Sequence, residues 1–196
     1  MSIAFVLGNG MSRKVIPLEP LREIGKLYGC NAIYRNFTPD YLIAVDSKMV
    51  FEICEKDIHH KVETWTNPNR SYKRFQKLNF FSPSLGWSSG PTALGLASKH
   101  GHKVIYILGF DFHGSPSGKM NNIYADSKNY KKSSDVATYH GNWNRQTCIT
   151  LQKNPSKEYI RVVSDRTLED FKTKDLEKFA NYREITVSKF KEKYHL

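Results

Sequence analysis

The chain is short of cysteine, of acidic residues and of long apolar runs, and each shortage excludes something. Its three cysteines, Cys30, Cys54 and Cys148, are scattered through 196 residues. They are too few and too far apart for a disulfide framework or a zinc knuckle, and a reducing cytoplasm is the expected location. No run approaches the ~18 apolar residues of a membrane-spanning helix. The opening MSIAFVLGNG has neither the basic start nor the small-residue cleavage site of a signal peptide, and reads as a buried first strand. Also missing are the GxGxxG fingerprint, a Walker A loop, and any helix-turn-helix, zinc-finger or RNP motif. No internal repeat or interdomain linker interrupts the chain.

Acidic residues number 19 against 30 basic ones, a net charge of +11. Such a surplus favours acidic partners: nucleotides, nucleic acid or an anionic membrane. The charge is spread evenly, at +5 over residues 1–112 and +6 over 113–196, with no long basic block. That distribution fits a solvated basic surface and argues against a nucleic-acid binder. The basic stretch 183–196 reads as a tail outside a domain of residues 1–182; it is the part that would meet a membrane surface, and self-association is left open.

What is present is a strand–helix alternation. Short apolar runs at 3–7, 30–34, 41–45, 62–65, 103–108 and 159–163 read as strands. Segments 17–28, 48–54, 92–99, 143–152 and 167–182 read as helices, the last opened by a capping-box-like Thr167-Leu168-Glu169-Asp170. Residues 66–79 read as a polar surface loop. Residues 113–142, rich in Gly, Ser, Asn and Lys, are long enough for a functional lid. The expected fold is a single Rossmann-like α/β three-layer sandwich with a largely parallel sheet.

In such sheets ligands bind beyond the carboxyl ends of the strands. Three clusters sit there: Gly8-Asn9-Gly10-Met11-Ser12, Asp46-Ser47, and Gly109 through His113. Glycines let a backbone approach a phosphate, and free N–H groups bind it; an ordinary tight turn has the same sequence. Ser88-Ser89-Gly90 before a helix is a cap that would also suit an anion. Asp46 and Asp111 end strands and would suit a magnesium ion, or simply brace their loops. His113 and His140 bracket the lid, where histidine suits general-base work, and Tyr124 lies between them. His59, His60, His100, His102 and His195 lie in surface or capping contexts and are assigned no role.

Taken in order, these segments resemble the bacterial sialyltransferases of glycosyltransferase family 42. Gly8-Asn9-Gly10-Met11-Ser12 stands where that family has GNGPS. Asn31 matches its second-strand asparagine, and Ser88-Ser89-Gly90 its serine-glycine turn. Tyr106-Ile107-Leu108-Gly109-Phe110-Asp111-Phe112 looks like its YLSGIDFY segment, while Tyr124-Ala125 and Tyr139-His140 fall where its lid carries a tyrosine and the catalytic histidine. The resemblance implies metal-independent, inverting transfer of a sialic acid-like sugar from a CMP-linked donor to a hydroxyl of a glycan or small-molecule acceptor. On that reading Gly8, Asn9, Gly10, Ser12, Asn31, Ser88, Ser89, Gly90, Gly109 and Asp111 cradle the nucleotide. His140 deprotonates the acceptor, and Tyr124 holds the leaving phosphate with His113, which replaces a family tyrosine. No cofactor is expected. The chain also resembles the related 6-hydroxymethyl-dihydropterin pyrophosphokinase-like family through Pro39-Asp40 and Asp46. That resemblance implies Mg2+ and ATP held by Asp46 and Asp111. A non-catalytic nucleotide-binding module is a third expectation.

Overall fold

The computed structural model describes residues 2–165 and 173–196. Eight strands form one sheet: β1 (Ile3–Leu7), β2 (Lys26–Cys30), β3 (Tyr41–Ile43), β4 (Glu63–Thr66), β5 (Leu78–Phe80), β6 (Val104–Leu108), β7 (Glu158–Val163) and β8 (Tyr182–Thr186). Their order is β5-β4-β3-β2-β1-β6-β7-β8, and every neighbouring pair is parallel. Five helices cover it: α1 (Ser47–Glu55), α2 (Ser89–Lys99), α3 (Gly141–Lys153), α4 (Lys174–Glu177) and α5 (Val187–Tyr194). The architecture is a Rossmann-like α/β sandwich of three layers. Among the described residues no helix is long and apolar enough to cross a membrane.

Strand alternation produces the layers. In β1, Phe5 and Leu7 point to one face and Ala4 and Val6 to the other, and all four are buried. β6 repeats the division, with Tyr106 and Leu108 on the first face and Ile105 and Ile107 on the second. Both strands are therefore apolar throughout, as parallel strands covered on two sides must be. The first face is closed by Met49, Val50 and Ile53 of α1 and by Val187 and Phe190 of α5. The second is closed by Ala93, Leu94, Leu96 and Ala97, one stripe of α2, with Leu151 and Leu176.

Several local expectations are corrected. Residues 17–28 are not one helix: a 3-10 turn, Glu19–Glu23, gives way to β2, because Leu18, Leu21 and Ile24 repeat every three residues, a spacing that a 3-10 turn also satisfies. The strand expected at 30–34 is instead the end of β2 followed by the 3-10 turn Asn31–Arg35. The loop 66–79 contains another 3-10 turn, Arg70–Tyr72, and runs into edge strand β5. The capping box at 167–170 lies outside the described residues; the later part of that expected helix holds only α4, followed by β8. The stretch 183–196 belongs to the sandwich, since Arg183 to Thr186 extend the sheet beside β7 and Phe190 is fully buried under Phe5 and Tyr106.

Candidate functional site

The strand order reverses direction between β1 and β6. The chain first builds β2 to β5 on one side of β1, then crosses to build β6 to β8 on the other. The two loops leaving that point part, and the crevice between them is where α/β sheets bind ligands. A cavity of about 490 Å3 opens there. Gly8, Asn9, Gly10, Asn31, Ser88, Ser89, Gly90, Gly109, Asp111, His113 and Asp46 all line it. The wall is also aromatic: Phe110 and Phe112 come from the strand-end cluster, and Trp87 and Trp143, assigned no role from the sequence, join them. The segment 113–142, expected as a lid, reaches the cavity through Met120, Asn121, Asn122, Ala137 and Thr138, residues not singled out from the sequence. Among the described residues no lysine or arginine lines it.

The glycines serve packing rather than anion capture. Gly8 N–H donates to Leu108 O (2.8 Å) and Gly10 N–H to Gly109 O (2.9 Å). Met11 N–H donates to Asn121 Oδ1 (2.9 Å) and Ser12 N–H to Asp111 Oδ2 (3.1 Å). These four donors, expected at a phosphate, are occupied. What requires glycine is proximity: a Cβ at position 8 would stand 2.6 Å from Gly109 O, and one at position 10 would stand 2.5 Å from the Asp111 carboxylate. Gly109 itself adopts φ +68°, which favours glycine. Behind the turn, buried Arg13 donates through Nε to Gly8 O (2.6 Å) and through its terminal nitrogen to Asn9 Oδ1 (3.5 Å). Asn9 in turn donates to Cys30 O and to the Tyr130 hydroxyl, both at 3.3 Å. Its amide is a structural tie.

Donors remain at the start of α2. Ser88 is the N-cap, and the N–H groups of Ser89 and Gly90 occupy the first helical turn, where no intrahelical acceptor exists. Gly90 lies against the Phe110 ring, and Pro91, which has no N–H, follows. Ser89 is buried; its hydroxyl donates to Asn31 Oδ1 (2.8 Å) and accepts from Val45 N–H (3.1 Å). Asn31 holds the left-handed conformation, φ 52°, immediately after β2. Its carbonyl oxygen is thus turned to Ser89, which leaves the amide NH2 as its donor toward the cavity. An eleven-residue helix adds the positive end of its dipole to these groups.

Asp111 is committed elsewhere. Ser12 gives its carboxylate both a hydroxyl and a backbone N–H hydrogen bond. Ser12 lies away from the main cavity, beside a smaller one of about 250 Å3 that shares Asp111, His113 and Asn121. Beneath, buried Arg161 donates to Asp111 O (3.0 Å), pairs with Glu184 (2.9 Å) and lies over the Phe112 ring. The 109–113 turn is thereby fixed from below. His113 Nδ1 donates to Gly114 O (2.5 Å), which makes Nε2 the basic nitrogen of that ring. Burial pushes the Cys30 thiol on the cavity wall up to about 12, so it is no nucleophile at neutral pH.

Two expected catalytic residues are not brought to the cavity. Tyr124 is buried in the core beside Tyr130, where it packs on the α1 side of the sheet. His140 is exposed at the N-cap of α3 with its ring against Tyr139, two residues beyond the cavity-lining Thr138. Asp46, the N-cap of α1, is at the rim and exposed.

The structure defines an α/β domain with a cavity at the switch point of its sheet. No protein-family model, curated protein or solved structure matches the chain.

Proposed function

We propose that the cavity holds the nucleotide part of a CMP-linked sugar and that the protein transfers the sugar, of sialic acid type, to a hydroxyl acceptor without a metal ion. The observation that carries this reading is the start of α2, whose first N–H groups have no intrahelical acceptor, on a cavity with aromatic walls and, among the described residues, no lysine or arginine. A single phosphodiester brings one negative charge, which a helix N-terminus and an asparagine amide can balance. A triphosphate brings several, and ordinarily needs lysine, arginine or a metal. The cavity's size is within the ~300–1,000 Å3 of small-molecule sites, and its aromatic rings suit a pyrimidine.

The reaction asks for donors at the leaving phosphate and a base at the acceptor. Ser89 and Gly90 supply the former. His113 is the histidine on the wall, so this reading gives it the proton from the acceptor hydroxyl, a role the family resemblance gives to His140. Single-turnover transfer rates separate the two. His113→Ala is expected to lose about 10²–10⁴-fold with donor affinity retained, and His140→Ala to stay within a few-fold. The opposite pattern returns the base to His140.

Donor chemistry is tested by thermal unfolding with CMP, CDP, UMP, GDP and ATP, each with EDTA and with magnesium. A ligand at about 100 times its Kd adds about 2.7 kcal/mol, equivalent to roughly 5–10 °C in Tm for a chain of this size. CMP or CDP is expected to give that rise in EDTA. Stabilisation by ATP alone, and only with magnesium, would replace this reading with pyrophosphoryl transfer through Asp46 and Asp111, both of which line the cavity.

A further inference from the structure

We propose that Asp57, His59 and His60 form a binding site for a transition-metal dication of the zinc type, at the end of the sheet opposite the nucleotide cavity. One potential ligand atom from each of the three lies within 4.8 Å of the others. They occupy the connection between α1 and the start of β4, which is the amino end of that strand. The turn is well defined. Asp57 adopts the left-handed conformation, φ 55°, with its N–H on Cys54 O (3.1 Å), and His60 N–H returns to Asp57 O (3.2 Å).

The independent sign of a ligand is His59. Its side chain is 4% exposed, yet Nδ1 is buried without a hydrogen-bond partner. A neutral imidazole keeps a lone pair on one ring nitrogen. With no partner at Nδ1, that buried nitrogen is the candidate ligand atom of the cluster. Phe75 packs edge-on to the ring at 6.0 Å and the His60 ring lies 4.1 Å away, so the orientation is held by packing. A buried acceptor with nothing to accept calls for an occupant.

Geometry and chemistry select that occupant. Zinc–ligand bonds of about 2.0–2.1 Å place tetrahedral ligand atoms roughly 3.3 Å apart. Any contraction this requires is at most about 1.5 Å, which the exposed side chains of Asp57 and His60 can supply by rotation while His59 stays fixed. Two imidazoles and one carboxylate favour zinc, cobalt, nickel or copper over magnesium or calcium. The Asp57 carboxylate offsets part of the opposing field of Lys77. Three protein ligands leave a fourth position to water. The ion would tie the end of α1 to the start of β4, away from the cavity, so its effect falls on stability and is separable from nucleotide binding.

The test uses the untagged full chain, stripped with EDTA and titrated with zinc chloride by calorimetry near pH 7.5, with thermal unfolding in parallel. The expected result is one saturable equivalent and a raised Tm, with the CMP response unchanged. His60→Ala and Asp57→Asn, both at exposed positions, should each weaken zinc at least about tenfold. His195→Ala, which removes an exposed histidine at the C-cap of α5, should leave it unaltered. Cobalt substitution should give the intense visible bands of a four-coordinate site in the wild type and lose them in His60→Ala. No saturable binding at about 1 mM zinc, or equal binding by wild type and His60→Ala, overturns the proposal.

Discussion

Replacing Glu52 with alanine is expected to remove about 3–5 kcal/mol of folding stability and to loosen the base of the 113–142 segment. Glu52 is 2% exposed in α1 and accepts from Tyr34, from Arg35 through two nitrogens (2.6–2.9 Å), and from Asn129 (2.6 Å). Arg35 also donates to Ser127 Oγ (2.8 Å) and Lys128 O (2.9 Å). One carboxylate thus connects α1, the turn after β2 and residues 127–129 of the segment that reaches the cavity. Removing it strands a half-buried guanidinium and a half-buried phenol without their acceptor, and that loss exceeds anything an exposed ion pair contributes. Urea unfolding measures the first effect, and limited proteolysis near 127–129 measures the second. A loss under about 1 kcal/mol would mean that the cluster is not an anchor.

The same residue gives the protein an acid limit. Burial alone would raise the Glu52 carboxyl, but the hydrogen bonds from Tyr34, Arg35 and Asn129 outweigh it and hold it at about 2. An unfolded glutamate protonates near 4.3. The folded state therefore keeps its charge where the unfolded chain has lost it, and the stabilisation is whole above about pH 4.5. It falls away as the pH drops toward 2. The Glu52→Ala protein should show a flatter stability curve over that window than the wild type.

Gly8→Ala and Gly10→Ala are expected to lower Tm by about 2–10 °C each and to abolish the CMP stabilisation that the proposed function expects. A Cβ at position 8 meets both Gly109 O at 2.6 Å and the Phe110 ring at 2.8 Å; one at position 10 meets Asp111 at 2.5 Å and Gly109 O at 2.7 Å. Backbone cannot yield as a side chain does, so the ends of β1 and β6 must separate, at a cost of about 1–3 kcal/mol. Gly95 supplies the contrast. It sits inside α2 with open space around its Cβ direction, so Gly95→Ala should stabilise by about 0.5–1 kcal/mol. If both kinds of substitution behaved alike, the close approach of the strand ends would not be what these glycines are for.

The core strands were legible because their pattern matches their burial. VIYIL and IAFVL carry no charged residue, and β6 and β1 are covered on both faces. The edges were not. β5 is three residues long, and β8 reads YREIT, with Arg183 exposed and Glu184 paired to buried Arg161. Nothing local in either stretch announces a strand; each forms because a neighbour offers a free edge. Of the site, the positions were legible and the roles less so. Strand-end residues could be placed at the cavity because topology puts them there. That Gly8 and Gly10 give their N–H groups to Leu108 and Gly109 depends on contacts across about a hundred residues, and that Arg161 braces the second turn on one across fifty. For the aromatic wall the local signal is Trp87, which stands directly beside the Ser88-Ser89 turn.

The sheet order also sets a schedule. Ile3 is paired with Val104 and Leu7 with Leu108, so β1 waits for about a hundred residues to be synthesised before its second neighbour exists. Until then β2 to β5 can assemble on one side of it, leaving the other edge of β1 open and the residues later buried against β6 exposed. The Gly8–Gly109 contact that shapes the cavity belongs to this late pairing. During synthesis the cavity is therefore absent from every chain that ends before β6. A nucleotide held as proposed would bind only after the two halves of the sheet have joined, and it would then act as a latch on the seam between them.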